Sequence, residues 1–232
     1  MARRTKEQAQ ETRNKLLDAA ELLFQAHGVA GTSLQAIART AGTSRGAVYW
    51  HFEDKAALFN AMLERVTLPM EQAFGSGMPD TPDTGFGSVD HAGQIRAVTL
   101  KILSQIAVNP QTRRVLEVAT QKVEYVKENQ AIRARHLAVR QKFMAHCASR
   151  LALAAAQAGV ALSGGTDMAA RGFHALIDGL IQNWLLDPLA FDLVAGGLQA
   201  MEVYLRGLGL PGQSGRRAVK ATTDSQLGAG PG

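Results

Sequence analysis

Apolar residues return at three- and four-residue intervals along most of the chain, which predicts an all-α fold. Leu16, Ala20, Leu23 and Phe24 form a first stripe that ends near Gly28, and Thr5 with Gln8 has the spacing of a capping box at its start. Leu34, Ile37, Ala38 and Ala41 form a second, short stripe, with Thr32 and Gln35 spaced as its capping box and Gly42 as its end. Thr43 or Ser44 caps a third helix that lasts only to about Phe52, because Asp54 reads as the next cap. Two short helices joined at a glycine make a helix-turn-helix.

From Asp54 the positions Leu58, Met62 and Val66 carry a fourth helix to roughly Phe74, with a kink expected at Pro69. Residues 75–93 are rich in Gly, Pro, Ser and Asp without periodicity, and read as a mobile connection. A fifth helix covers 94–108, with Ile95, Val98, Ile102, Leu103 and Ile106 inward, and Asn109-Pro110 stops it. The sixth, reaching toward Lys127, turns Val115, Leu116, Ala119, Thr120 and Val123 to the interior. The seventh spans about 130–158 and offers Leu137, Phe143, Met144, Cys147 and Leu151 for packing. After Gly164-Gly165, Thr166 or Asp167 caps an eighth helix that runs to Leu186, and Asp192 caps a ninth that ends near Gly207. Gly196-Gly197 inside it either permits close helix approach or frays its start. The expected organisation is a helix-turn-helix domain over 1–55, a larger helical domain over 56–210 and a disordered tail over 211–232.

The short third helix carries an unusual set of side chains: Ser44, Arg45, Gly46, Tyr49, Trp50 and His51. Core packing explains Val48 and Phe52 better than the others. In a helix-turn-helix the first turn of the second helix meets the major groove, where a guanidinium at Arg45 could bond guanine O6 and N7 together. Gly46 would let backbone approach DNA closely. Lys55, in the first turn of the next helix, opposes that helix's macrodipole at a cost of a few tenths of a kcal/mol, which a phosphate would offset. Thr32 and Ser33, at the start of the second helix, complete the DNA-binding candidates. Thr12, Arg13 and Lys15 on the first helix either touch phosphates or face water.

SRGAVYWHFEDKAALF, preceded by TSLQAIARTAG, resembles the N-terminal signature of TetR-family transcriptional regulators. MARRTKEQAQETR, RRVLEVATQKVEYV and DGLIQNWLLDPLAFDL are similar to the multidrug-efflux repressors of the AcrR and TtgR branch, so the resemblance covers about residues 1–208. It implies a repressor that binds a palindromic double-stranded operator as a homodimer, leaves it when hydrophobic drugs, dyes or antibiotics bind, and controls an efflux pump operon. It also implies that Ile102, Leu116, Thr120, Ile177 and Asp178 line the effector pocket.

The residues themselves point the same way with less force. A thin scatter of Thr99, Gln105, Thr120, His136, His174 and Asp178 on otherwise apolar faces is what a drug-sized pocket needs, although any helical bundle has such a core. Met62, Phe143, Met144 and Phe173 add adaptable surface, and Val66, Val98 and Ile181 complete the candidate lining. Asp178 on its apolar helix either meets the ligand or satisfies Arg171 or His174. The eighth and ninth helices are apolar on more than one side, so a second copy of the pair is expected to cover them.

Net charge is +5, and Arg3, Arg4 and Lys6 concentrate part of it ahead of the first helix, in an arm suited to phosphates. One cysteine, Cys147, excludes an internal disulfide and a multi-thiolate metal site within one chain. No run of 18 apolar residues and no secretion signal is found, so a soluble, cytoplasmic protein without membrane contact is expected. No cofactor, metal site or catalytic residue is expected. An all-α enzyme using Asp178 and His174 as acid and base is the alternative, but the chain offers no glycine-rich nucleotide loop, nucleophile elbow or metal cluster.

Overall fold

The computed structural model describes residues 2–76, 90–124 and 130–212, and among these every regular element is a helix. In chain order they are α1 (Ala2–His27), α2 (Leu34–Thr40), α3 (Arg45–His51), α4 (Lys55–Ser76), α5 (His91–Val108), α6 (Pro110–Gln121), α7 (Gln130–Ala158), α8 (Gly165–Leu186) and α9 (Leu193–Gly207).

Several helix starts differ from expectation, each for a local reason. α1 extends back to Ala2, so Thr5 lies inside it and not at its start. The cap of α2 is Ser33, whose side chain accepts from the Ala36 N–H at 3.1 Å, not Thr32. α5 begins at His91, ahead of position 94, because the Asp90 carboxylate accepts the Gly93 N–H at 2.8 Å. α8 begins at Gly165 behind Gly164, whose φ of 75° is left-handed, so neither Thr166 nor Asp167 caps it. Asp192 caps α9 as expected; Asn109, read in the sequence only as the stop of the fifth helix, caps α6, and Pro110 occupies the first turn of α6, where its missing N–H costs nothing. α6 ends at Gln121, and residues 125–129, 77–89 and 213–232, where the end of the sixth helix, the mobile connection and most of the disordered tail were expected, lie outside the described residues.

Two compact units divide the chain: Met1–Ser76 with Ser104–Lys142, and Gly77–Leu103 with Phe143–Gly232. The division expected between residues 55 and 56 is therefore not where packing breaks. Leu58, Phe59, Met62 and Leu63 of α4 and Val115 and Val118 of α6 are buried in one cluster with Leu16, Leu17 and Phe24 of α1, Ile37 of α2 and Val48 of α3. Phe24 and Phe59 meet with ring centroids 6.0 Å apart. Three helices as short as α2 and α3 with α1 bury too little by themselves, and α4 and α6 supply the missing apolar surface.

In the second unit, Arg96 of α5 is buried, pairs with Glu202 of α9 and donates to the Pro211 carbonyl at 2.7 Å. Of the glycine pair of α9, Gly197 serves close approach: a Cβ there would collide with Leu103 Cδ1 of α5, and α9 runs unbroken from Leu193. Gly172 of α8 likewise makes room for Tyr204, whose hydroxyl donates to the Ala169 carbonyl at 2.8 Å. Burial pushes the Cys147 thiol up to about 12, so it remains protonated and inert.

Candidate nucleic-acid interface

α2 and α3 are joined by a turn in which Gly42 takes a φ of 66°, and the Thr43 N–H donates to the Ala38 carbonyl at 2.9 Å. Ser44 then caps α3, accepting the Ala47 N–H at 3.2 Å. These bonds orient α3 with Val48 inward and the following Phe52 also buried, leaving Arg45, Gly46, Tyr49 and Trp50 outward.

Trp50 is 72 % exposed, an uncommon position for the largest side chain, and its ring meets His51 edge-on at 4.5 Å. Burial, and secondarily the charge of Arg13, hold the His51 imidazole below its ordinary pKa. At neutral pH it therefore offers one donor and one acceptor in place of another cation. Arg45 donates from Nη2 to the Tyr49 hydroxyl at 3.1 Å and lies 5.5 Å from that ring's centre, so the phenol steadies a guanidinium that otherwise faces solvent. Arg13 is neither simply solvated nor fully outward, since its guanidinium sits 5.3 Å from the Phe52 ring centre.

Gly46 has no role in the fold itself. It is exposed, and a Cβ there would meet only Ser44 Oγ, at 3.7 Å. Glycine inside a helix costs about 1 kcal/mol relative to alanine. Gly46→Ala is accordingly expected to raise the unfolding midpoint while weakening DNA binding. Thermal melts and duplex titrations of the same preparation check both signs at once.

Two of the expected DNA contacts are used up inside the protein. Thr32 is 4 % exposed, and its hydroxyl lies within bonding distance of the Gly28 carbonyl at 2.8 Å and the Leu23 carbonyl at 3.2 Å, where it secures the end of α1. Lys55 Nζ donates to the carbonyls of Val29, Thr32 and Ala30 at 2.7, 3.1 and 3.3 Å, which accounts for all three of its protons. These carbonyls, in the turn between α1 and α2, offset its unfavourable place in the first turn of α4, and no phosphate is required.

Sequence reasoning missed Gln35 and Arg39. With Ser33, Thr43, Arg45 and the alanines Ala36 and Ala38 they line a depression between α2 and α3. The signal was present: Gln35 and Arg39 are four residues apart, on the face opposite the buried Ile37.

The candidate effector residues fall in both units. In the first, Met62 and Val66 are buried core, Leu116 is half-buried, and Thr120 is exposed, its hydroxyl closing onto the Leu116 carbonyl at 2.8 Å. Thr120 was expected inward. It stands two residues, about 200°, round α6 from buried Val118, so the interior stripe turns it outward. In the second unit, Phe173 and Ile177 are buried and Val98, Ile102, Met144 and Ile181 half-buried, while buried Thr99 donates to the Ile95 carbonyl at 2.8 Å. Phe143 meets His174 edge-on at 5.3 Å. One turn along α8, Asp178 accepts from Gln182 Nε2 at 2.5 Å, a partner other than the Arg171 or His174 expected. Among the described residues no group of three His, Cys, Asp or Glu side chains could hold a metal ion, and no helix is long and apolar enough to cross a membrane.

Residues 16–62 match the family profile of the bacterial regulatory proteins, tetR family, and residues 91–209 that of the C-terminal region of MAATS-type transcriptional repressors. The HTH-type transcriptional regulator TtgR of Pseudomonas putida is 36% identical over 198 residues, which span 84% of this chain and 90% of that protein. Among solved structures, NalD, the secondary repressor of the MexAB-OprM multidrug efflux pump in Pseudomonas aeruginosa, superposes with a TM-score of 0.74 at 36% identity, covering 86% of this chain and 97% of the other. SmeT in complex with triclosan superposes with a TM-score of 0.72 at 29% identity, over 84% and 90%.

Proposed function

Because the chain belongs to the TetR family of bacterial transcriptional regulators, we propose that it is a repressor that binds a palindromic operator as a dimer and is released from it by hydrophobic small molecules. The family is one of DNA-binding regulators and not of enzymes, so Asp178 and His174 are not an acid–base pair. The observation that carries the reading is the outward face of α3, where Arg45, Tyr49 and Trp50 stand beside a glycine the fold does not need. That face offers a bidentate donor and apolar ring surface to base edges. Action on DNA places the protein in the cytoplasm.

The second copy docks on the outer faces of α8 and α9. Met168, Leu186 and Val203 are exposed there, and Gly179, midway along α8, has nothing within 4 Å of its would-be Cβ. Helices that cross at a glycine approach closely, which gives Gly179 a use that its own unit does not. Gly179→Lys is expected to convert dimer to monomer in sedimentation and to abolish palindrome binding without unfolding the chain. A dimer unchanged by that substitution would move the interface elsewhere.

Effectors are taken by the second unit, where the Phe143 ring of α7 meets His174 of α8 and the Asp178 carboxylate lies one turn further along α8, beside apolar side chains. A ligand that favours the conformation unable to grip DNA shifts the population toward it. The test is selection of a palindrome from a random duplex pool, then footprinting with triclosan, ethidium, chloramphenicol and novobiocin. Release by some compounds but not others is expected, in keeping with control of a drug-efflux operon. Absence of any palindrome preference over random duplex at physiological salt would reject the reading.

A further inference from the structure

Glu21 occupies the buried stripe of α1, four residues after Leu17 and three before Phe24, where an apolar side chain would serve the core. It is 1 % exposed. Its carboxylate accepts from Arg65 Nη1 of α4 at 2.9 Å and from Gln111 Nε2 of α6 at 3.0 and 3.3 Å, with Arg114 Nη1 of α6 at 3.9 Å. Arg65 also reaches Asp18, at 2.6 Å. Two more bonds fasten α6 to α1: Gln25 Nε2 donates to Glu117 at 2.9 Å, and the Val29 N–H to the Lys122 carbonyl at 3.1 Å. By sequence α6 belongs to the matched C-terminal region, yet it packs in the same unit as the helix-turn-helix and is pinned to α1 from end to end.

A buried ion pair is a poor stabiliser, since desolvation consumes most of its attraction. Burial outweighs the pull of Gln111 and Arg65 here and holds the Glu21 carboxyl above its ordinary pKa. Directional bonds supply something an apolar contact lacks, a single discrete arrangement of the elements they join.

We propose that Glu21 is a positioning residue: its carboxylate, shared by Arg65 of α4 and Gln111 of α6, fixes how the α1–α3 reader is held on α6, and so which half-site spacing the dimer accepts. This rests on the dimeric operator reading above. The competing view is that the cluster adds stability and nothing else.

Glu21→Gln keeps the shape and removes the charge. Gln25→Glu sets a carboxylate against Glu117, and adding Glu117→Gln restores an amide–carboxylate bond in reverse. Each protein is titrated with a single half-site duplex, with the selected palindrome, and with that palindrome lengthened by one or two base pairs between half-sites. The expected result is unchanged half-site affinity together with about a tenfold loss of preference for the natural spacing over the lengthened one. Gln25→Glu should show the same loss and the double variant should regain the preference.

Spacing preference left intact in folded Glu21→Gln and Gln25→Glu proteins would overturn the inference. So would half-site affinity that falls in step with the palindrome, because the reader itself would then be damaged. If Glu21→Gln does not fold, the Gln25 and Glu117 pair decides. A wild-type protein that prefers the palindrome while the variants match it sinks only this inference; one with no palindrome preference sinks the dimeric reading, and this with it.

Discussion

Arg45→Ala is expected to weaken binding to the selected operator by about 1 to 3 kcal/mol, roughly fivefold to 150-fold, and to flatten its preference at one base pair of each half-site. The guanidinium stands at the start of α3, exposed, with its described hydrogen bond going to a phenol that is itself exposed. Nothing in the fold depends on it, so the unfolding midpoint should not move. The measurement is a titration of both proteins against the operator and its single-base variants. A wild-type profile from the variant would remove Arg45 from the reading face and leave Trp50 and Tyr49 as the sources of specificity.

Lys55→Met is expected to act on stability, by about 2 to 3 kcal/mol, because it removes a charged donor from three carbonyls and leaves them without their partner. A fall of about 5 to 10 °C in the unfolding midpoint should follow. The relief of one unfavourable charge at the start of α4 returns only a few tenths of a kcal/mol. Below the melting range, the salt dependence of DNA binding should remain that of the wild type. If the midpoint stayed put while all duplexes bound more weakly and with a shallower salt slope, Lys55 would be a phosphate contact after all.

The contrast between these two basic residues shows what a one-dimensional reading resolves. Arg45 and Lys55 both look available for DNA in the sequence, ten positions apart in the same motif. Local structure suffices for Arg45, because its partner Tyr49 stands four residues on, one turn along the same helix. It does not suffice for Lys55, whose partners Val29, Ala30 and Thr32 lie more than twenty residues upstream and are brought to it only by the packing of α1 against α4. Thr32 fails in the same way: its role at the end of α1 depends on where α1 ends.

Glu21 is the residue least visible from the sequence. A glutamate inside an apolar stripe carries no spacing signature, since its partners Arg65 and Gln111 are supplied by two other helices. Thr120, by contrast, was misplaced only by register. The neighbouring buried positions Val115, Val118 and Ala119 already imply its outward direction.

By itself the sequence determined the helices, the short pair joined at Gly42, and the outward set on α3, because periodicity and capping act within a few residues of each other. It also carried the family resemblance, which lies in contiguous motifs. Tertiary structure alone decided that α4 and α6 complete the core of the DNA-binding unit, that Lys55 and Thr32 turn inward, and that Glu21 joins three helices. Each of those depends on groups far apart in the chain meeting in a low-dielectric interior, where a polar atom must be bonded, and no local pattern says to what.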